Sequence, residues 1–444
     1  MPLPPGPQGL VASLRAARVF FRAPMQAMSS LHARYGRTAS LSLLGDRLVS
    51  VIDPEGIGKV LIDREGVYTK DWVTHGLARF LGDGLLTSEN PIWRRQRRLI
   101  APSLSRRHIE RYAETMAGMA RAYADAIADG AVVDIHADMA KLTLGIVVET
   151  LFGAAFTGDP ASVASHIDAV MHGFEHLVRS WRRLIPERVP LPSRARMNAA
   201  SASIHRMVED IIRERRSSGE LGDDLLSRLL AARDESGAAM DDHQLRDEAL
   251  TLFVAGHETT ANALTFTLTL LAEHPELDAR LKAEVREVVG DRAPCAADLP
   301  ALPFTDAVVK EALRLYPPAY LIGREATRET ELDGWRVPAK ATVLVSSWVL
   351  HRQADLYDDP LAFDPQRWLD GRTEGLPRHA YLPFGGGPRI CVGNHFAMME
   401  AVLVVATLAQ RLRFERTERE PLPLQFAVTL RPARPLPMRA RVVA

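Results

Sequence analysis

The sequence predicts a mainly helical protein with a small β-rich lobe. Three observations point there: a helical pattern running from about Pro91 to Glu284, a compact strand pattern near residues 41–52, and one apolar helix of exceptional length. Leu41 to Ile52 reads as a hairpin turning at Gly45-Asp46, inside a stretch, residues 8 to 60, that mixes a helix with short strands. The helical stretch carries breaks near Pro102, Gly130, Gly158, the prolines 186, 190 and 192, and Gly219 to Gly222. The chain has 444 residues, longer than most single cores. No Gly/Ser- or Pro-rich linker divides it, so one compact unit over 1–444 is expected. Its β-rich part should lie at about 30–70, its helical core at about 91–320, and a Gly-rich loop at 384–393.

The long helix should start at Asp241-Asp242, since acids suit a helix N-terminus, and stop at Glu273 before His274-Pro275. That is roughly 30 residues, or about 45 Å. A helix so long and so apolar must cross the interior of a large protein. Yet Ala255-Gly256-His257-Glu258-Thr259-Thr260 interrupts it with a glycine, two β-branched residues and two titratable groups. Glycine there costs about 1 kcal/mol against alanine, and such local violations in a core often mark function. Ala255 and Thr259, four apart, share one face, and a small residue on that face lets something large lie flat against the helix.

Composition narrows the function. Acidic and basic residues balance at 55 each, without the basic excess of a nucleic-acid binder. Two cysteines rule out a disulfide scaffold and a zinc site built of cysteine pairs, and they fit a reducing compartment. Cys295 reads as a small buried hydrophobe. No basic segment followed by an apolar core opens the chain and no apolar run reaches about 18 residues, so neither a signal peptide nor a membrane span is expected, and the protein should be cytoplasmic.

The last third carries motifs. Glu311 and Arg314 lie three apart on a helix ending at Pro317-Pro318, and Arg367 downstream could bridge back to form a buried Glu-Arg-Arg cluster. Then comes Phe384-Gly385-Gly386-Gly387-Pro388-Arg389-Ile390-Cys391-Val392-Gly393. A glycine-rich loop before a lone cysteine lets backbone approach a flat ligand and aims N–H groups at the sulfur. A phosphate loop does not fit, because no Lys-Ser/Thr follows. A helix from about Asn394 puts Cys391 near its N-terminus, which favours thiolate.

These residues together resemble the cytochromes P450. The loop matches the pattern Phe-x-x-Gly-x-Arg-x-Cys-x-Gly at every fixed position, and Glu311/Arg314, Arg367, Ala255-Gly256-x-Glu258-Thr259-Thr260 and Trp93-Arg94-Arg95-Gln96-Arg97 follow the family in order and spacing. The resemblance implies haem b held by Cys391, with Phe384 beside the sulfur, Gly385 and Gly393 in the loop, and Arg389, Arg97, Trp93 and Arg324 on the propionates. Ala255 and Gly256 would make room for haem, oxygen and substrate, while Thr259 and Glu258 deliver protons. The implied reaction inserts one oxygen atom of O2 into a lipophilic terpenoid, steroid or fatty-acid-like molecule. Electrons would come from a ferredoxin or flavodoxin and its reductase, steered by Arg94, Arg95, Arg98, Arg106 and Arg107, with the enzyme a monomer. Arg179 or Arg182 could anchor a substrate carboxylate. Pocket walls are expected at Trp72 to Leu86, Phe174 to Trp181, Phe253 to Thr259, Ala319 to Ile322 and Phe426 to Thr429. A peroxide-driven peroxygenase and a non-catalytic haem sensor or carrier are the alternatives.

Overall fold

The computed structural model describes residues 1–43, 46–153, 160–179, 191–219, 222–418 and 420–443. The chain divides into two compact units: Met1–Gly76 with Leu313–Cys391, and Leu77–Ala312 with Val392–Ala444.

The first unit is built on a five-stranded sheet whose strands run in the order Thr38–Leu43, Asp46–Val51, Thr342–Val345, Ile322–Ala326, Tyr68–Lys70. The first two are antiparallel, as the hairpin pattern predicts, though the Gly45 turn lies outside the described residues. Asp46–Val51 then pairs in parallel with Thr342–Val345, so the lobe expected within 30–70 is completed by strands from far downstream. Val49, Val51, Val343 and Val345 pack with Ile57, Val60 and Leu61 of helix Pro54–Ile62 as a fully buried core. That helix begins where it does because the Asp53 carboxylate accepts from the Glu55 and Gly56 amides at 3.0 and 3.1 Å and Pro54 takes the first turn. Helices Leu10–Arg22 and Pro24–Tyr35 precede the sheet.

The second unit is helical. Its long helix, Asp242–Glu273, starts and stops as the sequence predicts: Asp241 caps it by accepting from the Gln244 amide at 2.7 Å, and it ends before Pro275. Thr265, Thr267 and Thr269 are buried inside it, each donating its hydroxyl to the carbonyl four residues back at 2.7 Å. Those bonds let an otherwise apolar, buried helix carry hydroxyls. Helix Ile135–Phe152 lies alongside, and a Cβ on Gly256 would stand 3.3 Å from Val147 of that helix. Glycine at 256 therefore serves helix–helix approach, a use the sequence did not announce. Helices Pro160–Arg179, Pro192–Ser218 and Asn394–Arg411 complete the layer. Two small sheets, Val132–Asp134/Pro437–Val442/Leu412–Arg416 and the hairpin Leu424–Phe426/Leu430–Pro432, flank them.

The expected breaks take specific forms. Pro102 sits in a 3-10 turn, Gly130 precedes strand Val132–Asp134, Pro192 opens a helix, and Gly219 ends that helix with φ 67°. Gly158, Pro186 and Pro190 lie outside the described residues. Among the described residues no helix is long and apolar enough to cross a membrane.

Candidate functional site

In the first unit the Gly-rich loop is closed on itself: the Cys391 amide donates to the Phe384 carbonyl at 3.0 Å. Gly385 and Gly387 have φ of 71° and 68°, a region other residues resist, and a Cβ on Gly387 would lie 2.2 Å from the Leu61 carbonyl oxygen. The loop is thus pressed onto the end of helix Pro54–Ile62. Ile322, which opens strand Ile322–Ala326, faces Gly385, and strand alternation puts Arg324 on the same face. Phe384 and Arg389 are half-buried, while Cys391 is exposed and in no disulfide. Gly393 caps helix Asn394–Arg411 immediately after it. A fixed backbone loop presenting an exposed thiol at a helix start suits a thiolate ligand to a flat cofactor.

Cys295 departs from expectation. It is half-exposed, and its thiol donates to Asp298 Oδ2 at 3.3 Å while its amide donates to the same oxygen at 2.8 Å. It caps a 3-10 turn, so hydrogen bonding and not apolar burial explains it.

Below the loop lies buried charge. Arg314 (0% exposed) donates to the carbonyls of His351, Pro360 and Ala362 at 2.7, 2.7 and 2.9 Å. Arg367 (2%) donates to the Asp358 carbonyl at 2.9 Å. His351 links the two levels: Nδ1 meets the Arg314 carbonyl at 3.1 Å and Nε2 accepts from the Leu382 amide at 2.9 Å, just upstream of the loop. Burial pushes its pKa down to about 3, so it stays neutral and can accept that bond. Glu311, one turn before Arg314 on helix Pro303–Leu315, is also fully buried.

In the second unit the interruption of the long helix opens one face. Ala255 is exposed in mid-helix, while residues 260 to 271 are buried without a break. That bare alanine is the surface a planar cofactor needs. Thr259 Oγ1 donates to the Ala255 carbonyl at 2.7 Å. Trp93, buried, and Arg97, half-buried, lie one turn apart on helix Ile92–Ile100. The basic cluster expected beside them is divided in use. Arg95 pairs with Asp234 at 2.7 Å and Arg98 with Glu235 at 2.5 Å, whereas Arg94, Arg106 and Arg107 are exposed.

A cavity of about 360 Å³ of empty space, open solvent included, is lined by Leu77, Phe80 and Leu81, by Met171 and its neighbours on helix Pro160–Arg179, and by Leu250 and Val254. Ser201 and Ile204 of helix Pro192–Ser218, which lies outside the expected walls, also line it, and on helix Pro160–Arg179 the lining residues precede Phe174. Trp181 and Arg182 lie outside the described residues, as does the Arg179 side chain.

Glu258 and Glu175 lie one turn beyond the cavity residues Val254 and Met171 on their respective helices. Glu258 Oε1 accepts from Thr429 Oγ1 at 2.7 Å and from Arg431 Nη1 at 3.4 Å, and Arg431 Nη2 reaches Glu175 Oε2 at 3.1 Å. Thr429 is met by Asn262 Nδ2 at 3.4 Å, and Asn262 Oδ1 by His136 Nε2 at 3.0 Å. Thr429 and Glu175 fall within expected pocket walls, but Arg431, Asn262 and His136 do not. The one available signal was a charged residue between Leu430 and Pro432.

Comparison with known proteins agrees with this geometry. The family model described as cytochrome P450 matches residues 3–437. The chain is 38% identical to cyclooctatin synthase of Streptomyces melanosporofaciens over 95% of its length and 92% of the relative. It is 35% identical to pentalenene oxygenase of Streptomyces avermitilis over 98% and 96%. Among solved structures, cyanobacterial CYP120A1 with retinoic acid bound superimposes with a TM-score of 0.88 at 25% identity, covering 100% of both chains.

Proposed function

Because this chain belongs to the cytochrome P450 family and is a haem-thiolate monooxygenase acting on a lipophilic molecule, we propose that Cys391 is its thiolate ligand, that the haem is of the b type, and that Thr259 and Glu258 govern proton delivery. The exposed thiol on a closed loop carries the proposal. When bound, the haem would supply dioxygen binding and a relay for two electrons from the redox partner, and a thiolate ligand favours O–O cleavage.

The remaining roles belong to side chains. Phe384 shields one flank of Cys391. Arg389, Arg324, Arg97 and Trp93 hold carboxylates, a task that suits arginine's bidentate, charge-assisted hydrogen bonds. Thr259, with its own proton on the Ala255 carbonyl, presents oxygen lone pairs as an acceptor beside the bare turn. Glu258 is the ionisable group one residue away. Relatives named for acting on cyclooctat-9-en-7-ol and pentalenene, together with the apolar cavity, support a terpenoid substrate. The proposed electron source is a separate ferredoxin or flavodoxin with its reductase, met by the exposed Arg94, Arg106 and Arg107, with a cytoplasmic, monomeric enzyme.

The test measures product, hydrogen peroxide and NAD(P)H together. Thr259→Ala should keep consuming NAD(P)H while product per NAD(P)H falls about tenfold or more and peroxide rises. Glu258→Gln should slow consumption and product alike. Unchanged coupling in Thr259→Ala would remove that hydroxyl from the mechanism.

A further inference from the structure

The arginine of strand Leu430–Pro432 belongs to none of the motifs, yet it is 7% exposed and shared by two carboxylates on two helices. Its Nη1 faces Glu258 and its Nη2 faces Glu175 and, at 3.3 Å, His172 Nε2. From the other strand of the hairpin, Gln425 Nε2 reaches Glu175 Oε1 at 3.1 Å. The guanidinium is therefore clamped from both sides. Two histidines also lie within electrostatic reach of Glu258: His136 from helix Ile135–Phe152, and its own neighbour His257. Burial pushes both of their pKa values down, so neither competes with the Arg431 guanidinium as the cation beside Glu258.

We propose that Arg431 and Thr429 are positioning residues for the monooxygenase reaction, fixing the Glu258 carboxylate at the end of the cavity and tying it through Glu175 to helix Pro160–Arg179. The proposal rests on the reading of Glu258 as the proton-delivering group. A glutamate side chain has three rotatable bonds, and without partners its carboxylate samples many positions. Here two donors converge on Oε1 alone, from a hairpin whose register is set by Gln425 opposite Arg431 and Phe426 opposite Leu430. The second oxygen is then the one that exchanges a proton, from one fixed place. Proton transfer falls steeply when donor and acceptor leave hydrogen-bond reach, so loss of the hairpin donors should act like loss of the carboxylate itself. Glu175 bears on helix Pro160–Arg179 one turn past Met171, so occupancy of the cavity and aim of the carboxylate share one bridge.

The experiment uses the reconstituted holoenzyme with a surrogate ferredoxin and its reductase, and pentalenene as probe. Thr429→Val and Arg431→Met should each slow NAD(P)H oxidation about tenfold, as Glu258→Gln does, with haem content and pentalenene Kd within about twofold of wild type. Arg431→Lys, which keeps the charge, should recover to within about threefold. Residues that act as a unit are non-additive, so Glu258→Gln combined with either change should be no slower than Glu258→Gln alone. A merely structural role would give multiplied losses and no rescue by lysine, and either result overturns the proposal. If Arg431→Met fails to load haem, Thr429→Val decides. A slow Glu258→Gln beside wild-type Thr429→Val and Arg431→Met overturns the positioning alone. A Glu258→Gln enzyme at wild-type rate overturns the relay reading beneath it.

Discussion

Ten consecutive residues, Phe384 to Gly393, make the thiolate loop, whereas the polar cluster around Glu258 draws on four segments spread from His136 to Arg431. The loop owes its shape to backbone: one amide–carbonyl closure, two glycines of positive φ, and contact with Leu61. The cluster owes its shape to side chains meeting across helices and a hairpin. A backbone-built site depends on a few residues completely, and a side-chain-built site depends on many residues partially.

The sharpest way to break this comparison is at the loop. Cys391→Ala should abolish the red-shifted carbon-monoxide band of the ferrous protein and all turnover, while Cys295→Ala, at a capping position, keeps both. Loss of the band in Cys295→Ala with retention in Cys391→Ala would reverse the assignment.

The next largest effect lies on helix Pro303–Leu315. Glu311→Ala removes a fully buried carboxylate one turn from a fully buried Arg314. Where a buried carboxylate balances a buried arginine, removing it costs about 3–5 kcal/mol, against a total stability of about 5–15 kcal/mol. Soluble holoprotein should fail to accumulate. Ordinary haem loading and an ordinary melting temperature would show that backbone carbonyls alone satisfy the two arginines.

The smallest effect has the opposite sign. Glu400, on helix Asn394–Arg411, is fully buried, and neither of its oxygens finds a hydrogen-bond partner among the described residues. Burial holds its carboxyl well above the usual range. The folded protein therefore keeps a proton that the unfolded chain, titrating near about 4.3, gives up. Stability from this group falls as pH rises above that value until the folded pKa is passed. Glu400→Met should raise stability by about 1–3 kcal/mol at pH 8 and by less at pH 4, read by urea unfolding at both. An equal gain at both pH values would mean the carboxyl does not titrate out of step with the unfolded chain.

The same contrast explains what could be read from the sequence. The loop was legible because its residues are consecutive and each glycine has a local reason. The long helix was legible from Asp241 and from His274-Pro275, again local signals. The Glu258 cluster was not, because Thr429 and Arg431 lie about 170 positions from their partner and follow no period. Nor could Asp46 to Val51 announce its pairing with Thr342 to Val345, since a strand's own pattern does not name its neighbour. The approach of Val147 to Gly256 was equally silent: a missing side chain looks the same whether a ligand or another helix approaches.

That parallel pairing sets a clock on synthesis. Val51 meets Val345, close to three hundred positions later. Ribosomes add about 5–20 residues per second, so the edge of strand Asp46–Val51 waits roughly 15–60 s for its partner to emerge. Throughout that interval the nascent chain carries Val49 and Val51, apolar and unpaired, on an open edge of the kind that templates aggregation. Expression at lower temperature, or with a holding chaperone to cover that edge, should raise the soluble yield without altering the finished enzyme.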